Sequence, residues 1–394
     1  MTETSGTAPP RASVLNDPRI RGLVYQMAAL VAVVWLGAEL WTNAVTNLER
    51  ANIASGFGFL DNIAGFGIIQ SLIPYSEESS YVRAFFVGLL NTLMVAAIGI
   101  VLATVLGFLV GIGSLSKNWL IRQISIAYVE TMRNIPLLLH IFFWYFAVLR
   151  SVPGPRDSIE LDGLLFINNR GIYMPRPVAE DGFGLVVIVL LAGIVGAWTL
   201  ARWGRMRRER TGQPFPTLWV SLGLVAALPL AVFLAAGAPL TFDHPELRGF
   251  NFRGGVSLIP EFVSLVLALG IYTAGFIAEN VRSGILAVSR GQTEAAFALG
   301  LRPGHTMRMV VIPQALRVII PPLTNQYLNL TKNSSLAVAI AYPDLVSVFA
   351  GTVLNQTGQA LEILFLTMSV YLTLSILTSM TMNWYNRRIA LVER

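Results

Sequence analysis

Few side chains in this chain could do chemistry, and most of them are charges beside apolar runs. Glu130 and Arg133 stand three residues apart, and Glu279 and Arg282 repeat that spacing. On a helix, residues so spaced share a face. A charge at a lipid edge is costly unless paired. The four residues therefore read either as charge compensation or as an inner gate that opens by exchanging partners. Lys332 lies in an apolar setting with Asn329, Asn333, Ser334 and Ser335 around it. An intramembrane lysine is a functional-site hypothesis by default. It could draw a substrate carboxylate, or pair with an acidic group on a neighbouring helix.

Other chemistries are excluded by residue type. There is no cysteine, and His140, His244 and His305 are too far apart for metal-ligand spacing, so no metal site is expected. Lys117 and Lys332 are the only lysines, and neither completes a G-x-x-x-x-G-K-[ST] phosphate loop. No paired carboxylates or nucleophile–base set falls within the apolar runs, which argues against a membrane enzyme.

The elements that hold these residues are membrane spans. Of 394 residues, 54% are hydrophobic and 13% charged, against about 25% charged in soluble domains. A span needs about 20 apolar residues. Eight candidates follow: 22–41, 87–114, 127–149, 183–203, 215–236, 258–279, 316–341 and 361–384. The expected fold is an all-α polytopic membrane protein of about eight transmembrane helices. Eighteen of the 28 Lys and Arg fall on one side and eight on the other, which puts both termini in the cytoplasm. The RWGRMRRER run (Arg202 to Arg210) then forms a cytoplasmic turn rather than a nucleic-acid patch. Residues 1–20 read as a disordered cytoplasmic tail. The stretch 53–73 is apolar but broken by Gly56, Gly58, Gly65 and Gly67. It is expected to lie at the outer surface as an interfacial or re-entrant piece. Gly107 and Gly111 form a G-x-x-x-G pair suited to close helix packing.

The segment from Ser289 to Arg317, on the cytoplasmic side of that topology, carries the most specific pattern. Helix formers run from Glu294 to Leu299, and Gly300 can end that helix. Arg302, Pro303 and Gly304 make a turn, and Thr306 to Ile312 can form a second short helix. Two short helices meeting at an angle make a stiff elbow outside the membrane.

Here the chain resembles the inner-membrane permeases of binding-protein-dependent ABC importers. Their pattern is E-A-A, three residues, G, nine residues, then aliphatic-x-aliphatic-P. Glu294, Ala295, Ala296, Gly300, Val310, Ile312 and Pro313 occupy those places. The resemblance implies a type I permease core whose elbow seats in a cleft of a separate ATPase dimer, the subunit that binds ATP and Mg. The stretches Asn91–Gly107, Val129–Phe146 and Pro313–Ala337 resemble the polar amino acid permeases of the HisM/HisQ type. The added first helix and the inserted fourth and fifth resemble the general L-amino acid permeases of the AapQ/BztB type. Asn333 and Ser334 stand where that core often has an acidic residue or Thr.

The expected organisation follows: tail 1–20; first helix and outer segment 21–86; core 87–149; a two-helix insert 150–258; core 259–388 with the elbow 289–317; tail 389–394. Asn91, Asn329, Lys332 and Asn333 are expected on the substrate path. The resemblance implies import of polar L-amino acids such as glutamate, glutamine, aspartate and asparagine, with no cofactor on this chain. A second permease, in a heterodimer, and a periplasmic amino-acid-binding protein are the implied partners, in a bacterial inner membrane. The alternative is a secondary transporter driven by an ion gradient. That class shows inverted halves with broken helices, and it does not explain the elbow.

Overall fold

The computed structural model describes residues 18–50 and 55–389. Most of the expected tail 1–20, the start of the 53–73 stretch and the tail from residue 390 lie outside the described residues. The helices are α1 (Pro18–Arg50), α2 (Tyr81–Gly113), α3 (Trp119–Asn134), α4 (Leu137–Phe142), α5 (Phe183–Thr211), α6 (Thr217–Leu222), α7 (Leu228–Ala235), α8 (Pro260–Leu286), α9 (Arg290–Ala298), α10 (Pro303–Thr306), α11 (Ile312–Asn333), α12 (Leu354–Thr357) and α13 (Ala360–Ile389). Six helical stretches among the described residues are long and apolar enough to cross a membrane, and a bent pair adds a seventh. Six expected spans coincide with these six: α1, α2, α5, α6 running on into α7, α8 and α13.

Two expected spans differ. Span 127–149 is not straight: α3 and the run from Leu137 to Ser151 meet at 107°. The cause is Pro136, which holds the preceding Ile135 extended (φ −101°, ψ 131°). Asn118 starts α3, its side chain accepting from the N–H of Leu120 at 2.9 Å. Span 316–341 is helical as α11 and then a 3-10 run, Ser334–Ile340. Its polar residues keep it out of the apolar count.

The chain forms two compact units, Met1–Asn91 with Pro343–Leu374, and Thr92–Tyr342 with Ser375–Arg394. In the first, Phe59, Tyr81, Leu345, Phe349 and Ile363 form a buried cluster. The 53–73 stretch enters it through Phe59 and Ala64, and the Gly56 N–H donates to Glu362. It therefore packs on its own unit, while Ile69 stays 88% exposed. Asp344 is fully buried, accepts from the Ser347 N–H at 2.8 Å, and burial pushes its carboxyl up to about 7.

In the second unit α8 is the hub. Pro260 fills its first position and Glu261 its first turn, both favourable at a helix N-terminus. Its neighbours approach at glycines. A Cβ on Gly107 would stand 2.5 Å from Ile277, and one on Gly111 2.7 Å from the Ala278 carbonyl. Gly270 meets Leu102 and Gly275 meets Met132.

The insert contains strands that the helix-only reading did not anticipate. They are β1 (Ile159–Leu161), β2 (Leu165–Asn168), β3 (Gly171–Met174), β4 (Arg176–Ala179), β5 (Leu240–Asp243), β6 (Glu246–Arg248), β7 (Asn251–Arg253) and β8 (Val256–Leu258). β1-β2-β3-β8 form one antiparallel sheet, and β4-β5 and β6-β7 form two-stranded pairs. Tyr173 stacks on Phe252 at 5.0 Å, giving this small layer its core.

Overpacking a tight interface costs about 1–3 kcal/mol. Gly111→Leu should lower the melting temperature of the detergent-solubilised protein by several degrees. Gly37→Leu in α1, where nothing lies within 4 Å of the new Cβ, should leave it unchanged.

Candidate functional site

The elbow 289–317 is built as two helical arms with a left-handed hinge. α9 ends where Gly300 takes φ +77°. The Gly300 N–H donates to the Phe297 carbonyl at 2.9 Å and the Leu301 N–H to the Ala296 carbonyl at 3.1 Å. This is the Schellman pattern, and it satisfies carbonyls that the helix end would leave open. Pro303 opens α10, a π-helical turn Met307–Val311 follows, and Pro313 sits in the first turn of α11. Gln314 donates to Gln292 at 3.3 Å, tying the two arms.

Of the residues in the pattern, Ala296 is buried and anchors α9. Glu294 and Ala295 are exposed. Beside them Phe297 and Leu299 present apolar side chains to the outside, Leu299 at 82% exposure. Sequence reasoning passed over these two. A leucine directly before a helix-ending glycine was the available signal.

α11 carries the second feature. One face buries Ala315, Ile319, Ile320, Leu323 and Leu330. The other exposes Asn325, Asn329 and Lys332, with Asn333 half-buried beside them. Asn329, Lys332 and Asn333 share a face, being three and four residues apart. α11 is therefore amphipathic, apolar where it packs and polar on the opposite side. Asn91 is placed differently. It is fully buried in the first unit, and its amide donates to the Gln70 and Pro343 carbonyls at 2.8 and 2.9 Å. It acts there as a strap between segments rather than as an exposed polar surface.

The four gate charges divide. Arg282 and Glu279 form a two-pronged ion pair at 2.7 and 3.0 Å. Glu130 and Arg133 do not pair with each other. Arg133 lies over the Phe276 ring at 5.6 Å, and Glu130 instead accepts from Asn134 at 3.4 Å. Phe276 offers the guanidinium an aromatic face on α8, so the three-residue spacing on α3 is not used. Glu130, Glu279 and Arg282, together with Ser114 and Arg122, line a cleft of about 420 Å³.

An exposed elbow with this pattern, set between two helices packed on each other, is the feature that sequence families can decide. Residues 103–391 match the family described as binding-protein-dependent transport system inner membrane component. The chain belongs to that family. This inner membrane component is 54% identical over 395 residues to the general L-amino acid transport system permease protein AapQ of Rhizobium johnstonii, covering 100% of this chain and 98% of that one. It is 42% identical over 424 residues to the glutamate/glutamine/aspartate/asparagine transport system permease protein BztB of Rhodobacter capsulatus, covering 98% and 99%. The inserted helices and strands of this inner membrane component thus lie within the matched length of both relatives. It is a multi-pass inner membrane protein.

A side chain other than Gly or Asn in the left-handed region costs about 1–2 kcal/mol. Gly300→Val should unsettle the elbow and lower transport per inserted molecule, whereas Gly300→Asn should retain most of it. Uptake normalised to membrane-inserted protein measures the difference.

Proposed function

We propose that this chain is the translocating subunit of an ATP-driven importer of polar L-amino acids. Glutamate, glutamine, aspartate and asparagine are the leading cargo within a broad range. The exposed elbow carries the reading, supported by full-length similarity to permeases named for these substrates. A periplasmic binding protein delivers substrate, and a second, related permease completes a heterodimeric pathway. A cytoplasmic ATPase dimer binds ATP and Mg and receives the elbow of each permease. Glu294 and Ala295 face the ATPase, while Ala296, Gly300 and Pro313 shape the elbow. Both termini are cytoplasmic. Nucleic acid has no role.

Mechanically, α8 enters the elbow and α11 leaves it. From Pro313 to Lys332 is 19 residues, about 28 Å of helix. Closure of the ATPase dimer displaces the elbow, and α11 carries that displacement to the face of Asn329, Lys332 and Asn333. We assign that face to the substrate path. The Lys332 ammonium draws the substrate carboxylate, and Asn333 adds no negative charge against acidic side chains. Glu279 and Arg282, with Glu130 and Arg133 nearby, form the inner gate. Exchange of the Arg282 partner from Glu279 to Glu130 across the cleft opens it. No covalent step occurs in this chain.

Proteoliposomes containing the whole assembly should take up glutamate with ATP supplied to the ATPase and should keep doing so when ion gradients are collapsed. Loss of uptake on collapsing the gradients alone overturns the reading. Asn333→Asp should depress glutamate uptake more than glutamine uptake. Equal depression removes Asn333 from substrate selection.

A further inference from the structure

The foot of the inserted helix α5 carries a charge cluster that neither the elbow nor the substrate path uses. Its last ten residues hold Arg202, Arg205, Arg207, Arg208 and Arg210 against Glu209 alone. Among the described residues, the ion pairs are Arg248–Glu246 and Arg282–Glu279, so no described carboxylate pairs with these arginines.

The two faces of α5 have different work. One packs on the return helix: a Cβ on Gly204 would stand 2.7 Å from Thr217, and Trp203 meets Phe215 edge-on at 5.3 Å. Arg207 lies over Trp203 at 5.3 Å on that face. Trp198, Ala201, Arg202 and Arg205 follow helical spacing on another and form one wall of a shallow, open recess. Arg202 sits over the Trp198 ring at 5.9 Å, which holds its guanidinium along the helix.

The depth of this recess follows from length. α5 has 29 residues, about 43 Å at 1.5 Å per residue, against about 30 Å of hydrocarbon. Its arginine-rich end therefore reaches the headgroup layer, where tryptophan anchors. The abundant anion at that depth is the lipid phosphodiester, and a guanidinium binds phosphate through two parallel hydrogen bonds.

We infer that Trp198, Arg202 and Arg205 form a binding site for the phosphodiester headgroup of an anionic lipid. The site is independent of what the chain transports. Basic residues serving only to orient the span would have no preference among positions, whereas this site needs these two arginines.

The test uses the full-length chain purified from vesicles of phosphatidylcholine with phosphatidylglycerol. Retained phosphatidylglycerol is counted by native mass spectrometry. The Arg202→Gln/Arg205→Gln pair should lower retention by about tenfold or more, because the paired hydrogen bonds of each guanidinium to phosphate are lost along with its charge. The Arg208→Gln/Arg210→Gln pair removes equal charge and should lower it far less. Arg202→Lys/Arg205→Lys keeps the charge that orients the span and should give intermediate retention, and it decides the matter if the glutamine pair fails to insert. Equal losses in the two glutamine pairs overturn the site, as does full retention by the lysine pair. Displacement of phosphatidylglycerol by millimolar inorganic phosphate overturns the lipid assignment in favour of a soluble anion.

Discussion

The close approach of helices along α8 is the contact on which the rest of the second unit depends. In lipid, helices gain little from burying apolar surface against one another, so packing distance matters most. Gly107 and Gly111 of α2, and Gly270, Gly275 and Gly284 of α8, remove side chains where backbones meet. Gly284 does this for α11, receiving Ile319 where any Cβ would collide. α8 and α11 are thereby held side by side at the end where the elbow joins them. An elbow joined to two loosely packed rods would flex. Joined to this pair, it is held at both ends by packed helices.

That arrangement gives each part of the proposed cycle a physical carrier. The Schellman turn at Gly300 and the Gln292–Gln314 contact fix the angle between the arms. Phe297 and Leu299 leave apolar surface exposed on the elbow. α11 is one helix from Ile312 to Asn333, yet Pro321 and Pro322 lie inside it and remove two backbone donors. The polar face of Asn329, Lys332 and Asn333 lies beyond them on the same helix. The Glu279–Arg282 pair sits on the last turns of α8 and lines the cleft there.

Much of this was legible in sequence because it depends on local chemistry. Runs of apolar residues gave the spans, Gly300 and Pro303 gave the elbow, and the spacing from Glu294 to Pro313 gave the family. What escaped depends on partners distant in sequence. Arg133 stacks on Phe276 of another helix rather than on its own neighbour Glu130. Asn91 is held by carbonyls at residues 70 and 343. Strands of three or four residues, paired across a two-helix hairpin as β3 is with β8, leave too short an alternation to read. The bend at Pro136 was readable, since a proline restricts the residue before it, but the apolar run continued across it and masked the break.

The most direct test of the central claim is what remains bound to the purified chain when the elbow is altered. Wild type, solubilised in mild detergent, should co-purify with a soluble ATPase and a second permease. Glu294→Lys should lose the ATPase while keeping the second permease, because the substitution touches only the exposed arm. Retention of the ATPase by Glu294→Lys at wild-type stoichiometry, or loss of both partners together, contradicts the assignment of the elbow as the surface through which force enters.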